Sequence, residues 1–549
     1  MCVSAVPRVR MRQLGLSLQP QSRGRIRHHI CFVCDFFYPN YGGIENHIYY
    51  LSQSLIRRGH KVVVVTHTYP GHEGIHYLKD GLKVYYLWRW NMYRGSVCPA
   101  IFPFLPVFRE ILLRESITIV HGHQSYSAMA HEAILHARVM GYHVCFTDHS
   151  LAGFRDMASI HVNKSLEFTL TAIDHVICVS NTSKENTVLR SRINPLDVSV
   201  IPNAIDSSVF TPDPSRRDPN FVTIVVMSRL VYRKGIDLLA EVIPLVCDRL
   251  PNVRFLIGGD GPKRETLEEM IALHQLCNRV QLLGAVPHDK VRDVLVRGDI
   301  FVNTSLTEAF CMAVVEAASC GLLVVSSNVG GVHEVLPPHM LHLAAPVAKD
   351  MSAAIVKAVE LVSQGSIVPL NFHREVARMY SWRDVAERTE RVYDFVMPLS
   401  VPPLFDLLRR QYARGPWSGK CFCAVVILVY LFWCLLDWLL PVTPLPSTVP
   451  EPESVLNSNS IILNAVNPNN INSPPSLPSS PPPRSSSLLL CRTTSDTRHV
   501  RRKTNTMKSI TKENQSPLDL HMHLPPLRTK GPVSDPLKRT PCSPRSCGP

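Results

Sequence analysis

From His29 onward the chain alternates short apolar runs with amphipathic stretches, and each run ends in polar or glycine-bearing residues. The segment ICFVCDFFYPNYGGIENHIYYLSQSLIRRGHKVVVVTH is the clearest case. It reads as an apolar strand, a loop holding Gly42 and Gly43, a helix with one apolar face and a second apolar strand, which is a βαβ unit. Further strands are predicted over 83–87, 117–121, 143–146 and 175–179, completing one doubly wound unit. Pro202-Asn203-Ala204 and the Pro- and Asp-rich stretch 211–220 then read as a linker. A second βα series starts with FVTIVVMS at 221–228 and continues with strands at 253–257, 280–283, 300–303 and 322–326. The expectation is an α/β protein of two Rossmann-like domains, 28–205 and 206–398, facing a cleft along the ligand edges of their parallel sheets.

The pattern changes beyond Pro398. CFCAVVILVYLFWCLLDWLL at 421–440 is long enough to cross a hydrocarbon core of about 30 Å, and Asp437 is its only charge. A basic segment, 399–420, precedes it with Arg409, Arg410, Arg414 and Lys420, whereas no Lys or Arg follows until Arg484. The positive-inside rule then predicts a single span with both globular domains in the cytosol, Asp437 near the far interface and the tail luminal. Residues 441–549 are Pro-, Ser- and Asn-rich and read as disordered, as does the basic N-terminus, 1–27.

Composition narrows the partners. The net charge of +14 looks like a nucleic-acid signal, but 441–549 hold 13 Lys+Arg and 6 Asp+Glu, so +7 comes from the tail. The first 34 residues add six arginines and no acid, leaving no basic nucleic-acid face on the folded part. The sixteen cysteines are scattered, and Cys31-Phe-Val-Cys34 lies inside a strand pattern, where core packing outweighs redox chemistry.

Candidate chemistry gathers after the strands. In TSLTEAFCMAVVEAASCG, Glu308 and Glu316 are separated by seven residues. Ser305 or Thr307 reads as the cap of a helix with Glu308 at its N-terminus and Glu316 two turns further in, where a carboxylate can accept both hydroxyls of a ribose. The loop SRLVYRKG places Arg229 and Lys234 just past a strand end, and two cations there suit a diphosphate leaving group without a divalent ion. Gly258-Gly259-Asp260-Gly261 and Gly330-Gly331 are neighbouring glycine-rich loops. His121, His123, Asp148 and His149 follow strands of the first domain; hydrogen bonding or substrate contact is the expectation for these histidines, and no metal is assigned. A glycoside hydrolase also uses paired carboxylates, but a continuous helix would hold Glu308 and Glu316 about 12 Å apart, too far to flank one bond.

Gly42-Gly43, Arg229, Lys234, the 258–261 loop, Glu308 and Glu316 occur in the order of the retaining GT-B glycosyltransferases that carry a Glu-x7-Glu motif, and the chain resembles that family over about 28–400. The resemblance implies that the first domain binds acceptor and the second the donor nucleotide. Arg229 and Lys234 would hold the diphosphate, Glu316 the ribose and Glu308 the transferred sugar. By the same likeness Gly42, Gly43, Gly259, Ala309 and Phe310 contact the donor, and His149 joins Glu308, Arg229 and Lys234 in catalysis. Within the family, IENHIYYLSQSLIRRGHKVVVVTH, VHGHQSYSAMAHEA, SRLVYRKGIDLL and TEAFCMAVVEAASCGL are similar to the branch that begins glycosylphosphatidylinositol anchors. That likeness implies UDP-N-acetylglucosamine as donor, phosphatidylinositol as acceptor, no cofactor, a multisubunit complex and the endoplasmic reticulum membrane. The segment from Tyr380 to Val396 resembles the one that closes such folds by returning to the first domain.

Overall fold

The computed structural model describes residues 26–441 apart from 94, 155 and 156; the segments read as disordered fall almost wholly outside the described residues. The first half carries β1 (His29–Val33), β2 (Lys61–His67), β3 (Gly74–Tyr77), β4 (Lys83–Leu87), β5 (Asn91–Tyr93), β6 (Ser96–Val97), β7 (Ile119–His123), β8 (His143–Asp148), β9 (His175–Cys178) and β10 (Val198–Val200). Its helices are α1 (Gly43–Arg57), α2 (Ile101–Arg114), α3 (Ala128–Val139), α4 (Met157–Leu170) and α5 (Asn181–Ser191). The eight-stranded sheet runs β10-β9-β8-β7-β1-β2-β4-β3, with only β3 antiparallel. Side chains along β1 alternate between two cores, Ile30 and Phe32 packing on the α1 side and Cys31 and Val33 under α2 and α3. Cys31 and Cys34 are fully buried in different cores, and burial pushes both thiols well above their usual range. The two sulfurs therefore pack rather than form a redox pair.

The second half holds β11 (Val222–Met227), β12 (Val253–Gly258), β13 (Val280–Gly284), β14 (Ile300–Asn303), β15 (Leu323–Ser327) and β16 (Leu341–Ala344), ordered β13-β12-β11-β14-β15-β16 and parallel throughout. Helices α6 (Ile236–Arg249), α7 (Arg264–Leu273), α8 (Val291–Leu295), α9 (Met312–Ser319), α10 (Ala348–Ser363) and α11 (Pro369–Met379) cover it. Continuous Val/Ile runs such as β11 are what burial on both faces demands.

Helix α12 (Trp382–Val396) returns to the first domain. Glu390 accepts from Arg58 Nε at 2.6 Å, Tyr393 and Asp394 lie 2.7 Å from His121 and His28, and Arg388 donates to the Val200 carbonyl at 2.7 Å. The strap ties the first sheet to an element far downstream, Glu390 lying 332 residues beyond Arg58.

Two further helices follow, α13 (Leu404–Tyr412) and α14 (Ser418–Leu439). An 18-residue window of α14 has mean hydropathy 2.3 and is 17% buried, so the helix is long and apolar enough to cross a membrane and is no globular core helix. It does not project from the domain. Phe422 packs on Phe168 of α4 at 4.7 Å between ring centroids, Phe432 on Phe102 of α2 at 5.7 Å, and Val426, Val429 and Leu436 bury against Leu105, Leu135, Val139 and Ala172. Asp437, expected alone near the far interface, is paired with Arg109 of α2 at 2.6 Å, because α14 lies across the helical layer of the first domain.

Candidate active site

The second-domain loops are built against one another. After β11 the chain turns through Ser228–Gly235, and Gly235, at φ +67°, caps α6 so closely that a Cβ would sit 1.8 Å from the Thr304 carbonyl oxygen. Leu306 N–H donates to the Arg233 carbonyl at 3.0 Å and the Thr304 hydroxyl to the Lys234 carbonyl at 3.1 Å, joining the β11 and β14 loops. Gly259 presses on Ser228, and Gly330 and Gly331 press on the carbonyls of Glu308 and Ala309. These glycines bring loop backbones together at the sheet edge. Gly42 differs: its φ of −173° is extended, and its missing Cβ makes room for the Glu45 carboxylate. Gly43 opens α1 opposite Met312 of α9.

This scaffold places the Lys234 ammonium in contact with the Glu308 carboxylate, and the Ser305 hydroxyl lies 2.7 Å from that carboxylate and 2.7 Å from Asn303 Oδ1. Burial alone would lower the Lys234 pKa, but the Glu308 charge more than offsets it, so the amine stays cationic. Arg229 is exposed at the same edge, and its charge acts on Glu45 at the start of α1, partly opposing the upward push that burial gives that carboxyl. Ala309 and Phe310 are buried, Phe310 packing on Tyr380 at 5.5 Å, so any donor contact by these two runs through the backbone.

The helix after Glu308 differs from the expectation. It starts at Met312 and its cap position is Cys311 at φ +69°, so Glu308 lies in the loop and Glu316 is the fifth helical residue. Ser305 does not cap the helix because its hydroxyl engages Asn303 and Glu308. Glu308 and Glu316 therefore do not share a continuous helix, and the helical separation of about 12 Å does not hold. The two carboxylates are instead separated by environment: Glu308 sits on a lysine, whereas burial pushes Glu316 up to about 7. Glu316 lies 3.9 Å from His288 Nε2 in a small recess that also takes Asn46, Tyr50, Asp206, Phe210 and Trp382. Asn46 of α1 reaches His288 at 3.1 Å, crossing the cleft.

In the first domain, β7 runs two residues past the expected 117–121, so His123 as well as His121 is a strand residue. His121 is spent on Tyr393 and Thr147, each at 2.7 Å. His123 Nδ1 lies 3.2 Å from His149 Nε2, and His47 of α1, hydrogen-bonded to Asn203 at 2.8 Å, completes a cluster whose nitrogens lie within 4.8 Å of one another. Burial holds all three below the usual histidine range, His149 at about 3, so the cluster is neutral. Asp148 is structural, paired with Arg190 at 3.0 Å. Sequence reasoning missed His47, Asn203, Asn46, His288 and Ser180, whose hydroxyl donates to the Ala309 carbonyl at 2.7 Å across the cleft. His47 was findable as a polar residue on the buried face of α1, beside Ile48 and Leu51.

Two facing Rossmann-like domains whose second member presents cations and carboxylates at its ligand edge define a GT-B-like glycosyltransferase. A model described as glycosyl transferases group 1 matches residues 210–364, and one described as PIGA (GPI anchor biosynthesis) matches 67–156. Among solved structures, a sucrose-phosphate synthase from Thermosynechococcus elongatus shares the fold with TM-score 0.58 and 19% identity, over 68% of this chain and 100% of that one. The chain is 56% identical over 413 residues, 75% of its length and 92% of the relative's, to a phosphatidylinositol N-acetylglucosaminyltransferase subunit of Arabidopsis thaliana. It is 54% identical to the subunit of the same name from Homo sapiens, over 75% of this chain and 86% of that one. The chain belongs to the PIGA family of phosphatidylinositol N-acetylglucosaminyltransferase subunits, glycosyltransferases of glycosylphosphatidylinositol anchor synthesis.

Proposed function

We propose that this enzyme transfers N-acetylglucosamine from UDP-N-acetylglucosamine to phosphatidylinositol, as the catalytic subunit of a membrane complex, with retention at the anomeric carbon. The observation that carries the assignment of roles is the Lys234–Glu308 contact, set beside exposed Arg229 at the cleft edge. Arg229 and Lys234 meet the charge that develops as the bond from sugar C1 to the diphosphate oxygen breaks, and no metal or other cofactor is assigned a part. A new bond forms on the same face from an inositol hydroxyl to C1, and the hydroxyl proton passes to the departing phosphate oxygen. Glu316 accepts the ribose hydroxyls, Glu308 holds the sugar, and neutral His149 faces it from the first domain. Ala309, Phe310, Gly42, Gly43 and Gly259 border the donor through their backbones.

The membrane supplies the acceptor. Arg409, Arg410, Arg414 and Lys420 before α14 support a reading in which the catalytic domains face the cytosol at the endoplasmic reticulum membrane, α14 crosses once and the tail is luminal. Microsomes holding the chain and its partner subunits, given labelled UDP-N-acetylglucosamine, should form a phospholipase-sensitive labelled glycolipid with an α linkage. A β linkage would sink retention, and no product would reduce the chain to a non-catalytic scaffold.

A further inference from the structure

The geometry points to a membrane seat on the first domain: the strip of α2, α3 and α4 that α14 covers is the surface that rests on the bilayer once α14 has entered it. This rests on the reading of α14 as a membrane-crossing helix.

Docking and crossing exclude each other. One domain touches α14 at both ends, Phe168 at Phe422 and Arg109 at the Leu440 carbonyl, 3.1 Å away. Those contacts are about 27 Å apart at 1.5 Å of rise per residue, close to the thickness of the hydrocarbon core, about 30 Å. A docked α14 could cross only if α2, α3 and α4 lay in hydrocarbon with it. These helices carry Glu110, Arg114, Lys164 and Glu167, charged groups that hydrocarbon excludes. When α14 crosses, it therefore leaves its place on the domain.

The vacated strip consists of Leu105, Leu135, Val139 and Ala172, all buried under α14, bordered by half-buried Ile101 and by Phe102, which is 44% exposed. Arg109 loses Asp437 at the same moment. An apolar strip edged by one arginine is matched by acyl chains below and a lipid phosphate at the rim. Helix α13 stays fixed to the same domain, with Gln411 donating to the Phe168 carbonyl at 2.9 Å and Arg414 to the Ser191 carbonyl at 3.3 Å. The point where α14 leaves the domain is thus held beside the strip. Trp88 and Trp90, 75% and 74% exposed, flank Arg89, whose partner Glu132 also accepts from Ala100 N–H just before α2. Exposed indoles at that border favour the interfacial zone. The occupant is the anionic cytosolic leaflet, and the consequence is a fixed tilt of the first domain toward its lipid acceptor.

The test places a benzophenone amino acid at Ile101 or Phe102 of the full chain, in microsomes with its partner subunits, and supplies a clickable phospholipid. Lipid adducts at both positions and none at Leu273, exposed on α7, support the seat. Adducts to another polypeptide, no adduct, or efficient disulfide formation between Arg109→Cys and Asp437→Cys in intact membranes would each overturn it. Resistance to alkaline carbonate extraction is scored on the same samples: a chain that extracts fails the membrane reading itself, whereas a retained chain without lipid adducts fails the seat alone. Independently, Arg109→Gln should raise KM for phosphatidylinositol in vesicles about fivefold, the worth of one basic residue near an anionic surface, with KM for the nucleotide sugar unchanged. Equal change in both constants contradicts the seat.

Discussion

Glu316 is a carboxyl whose protonation state the fold controls. Burial raises it to about 7, above its unfolded value, so the fold favours the protonated form; this contribution to stability is present at low pH and is lost as pH rises toward about 7. In the proposed ribose role the pH dependence runs the other way, because only the carboxylate accepts both hydroxyls. UDP affinity, measured by calorimetry, should fall as pH drops from about 8 to about 6, and Glu316→Gln should bind weakly with no such slope. An identical slope in both proteins would remove Glu316 from the ribose site. For the cation pair, Arg229→Ala or Lys234→Ala should lower turnover by about a hundredfold, the usual loss when a donor to developing charge is removed. A variant expressed at normal level that turns over like the parent rules out the diphosphate role. Lys234→Ala will also cost some order in the empty protein, since Glu308 loses its partner; circular dichroism should still show the parent's fold.

At the level of elements, strands were legible because burial on both faces forces unbroken apolar runs, as in β2 and β11. Helix α9 was not. Its start depends on Cys311 adopting φ +69°, which a cysteine does not advertise, while the Ser305 hydroxyl that resembles a cap serves Asn303 and Glu308. The cations and the two glutamates were visible as spacing, whereas His47, Asn46 and Ser180 act across the cleft and have no local signal. The loop packing gives a clean comparison between two glycines of similar backbone conformation. Gly365, at φ +68° with nothing within 4 Å, should tolerate alanine at a cost of about 1 kcal/mol. Gly235, at φ +67° against the Thr304 carbonyl, should lose several times as much and drag the Lys234–Glu308 contact with it. Thermal unfolding of the two full-length variants reads the difference; equal shifts in Tm would mean that the loops are looser than described.

For the whole molecule, orientation is the property to measure. Protease added outside sealed microsomes should digest the region before Lys420 and spare a fragment from α14 onward. The sequon at Asn514 should be glycosylated, and those at Asn163, Asn181 and Asn303 should stay bare. Glycan on Asn163 would reverse the orientation and require a luminal donor.

The α12 strap also sets the order in which this protein can be finished. Arg58 is separated by 332 residues from its partner Glu390, and the Val200 carbonyl by 188 residues from Arg388. At synthesis rates of about 5–20 residues per second, Arg58 waits roughly 20–60 s for its carboxylate. Throughout that interval the first sheet emerges from the ribosome with the underside of His28, His121 and Arg58 uncovered. A chain terminated anywhere before α12 never covers it. The earliest-made domain therefore lacks this cover until nearly the end of the catalytic region has been translated, and premature stops well past the active-site residues should yield chains that are degraded rather than partly active.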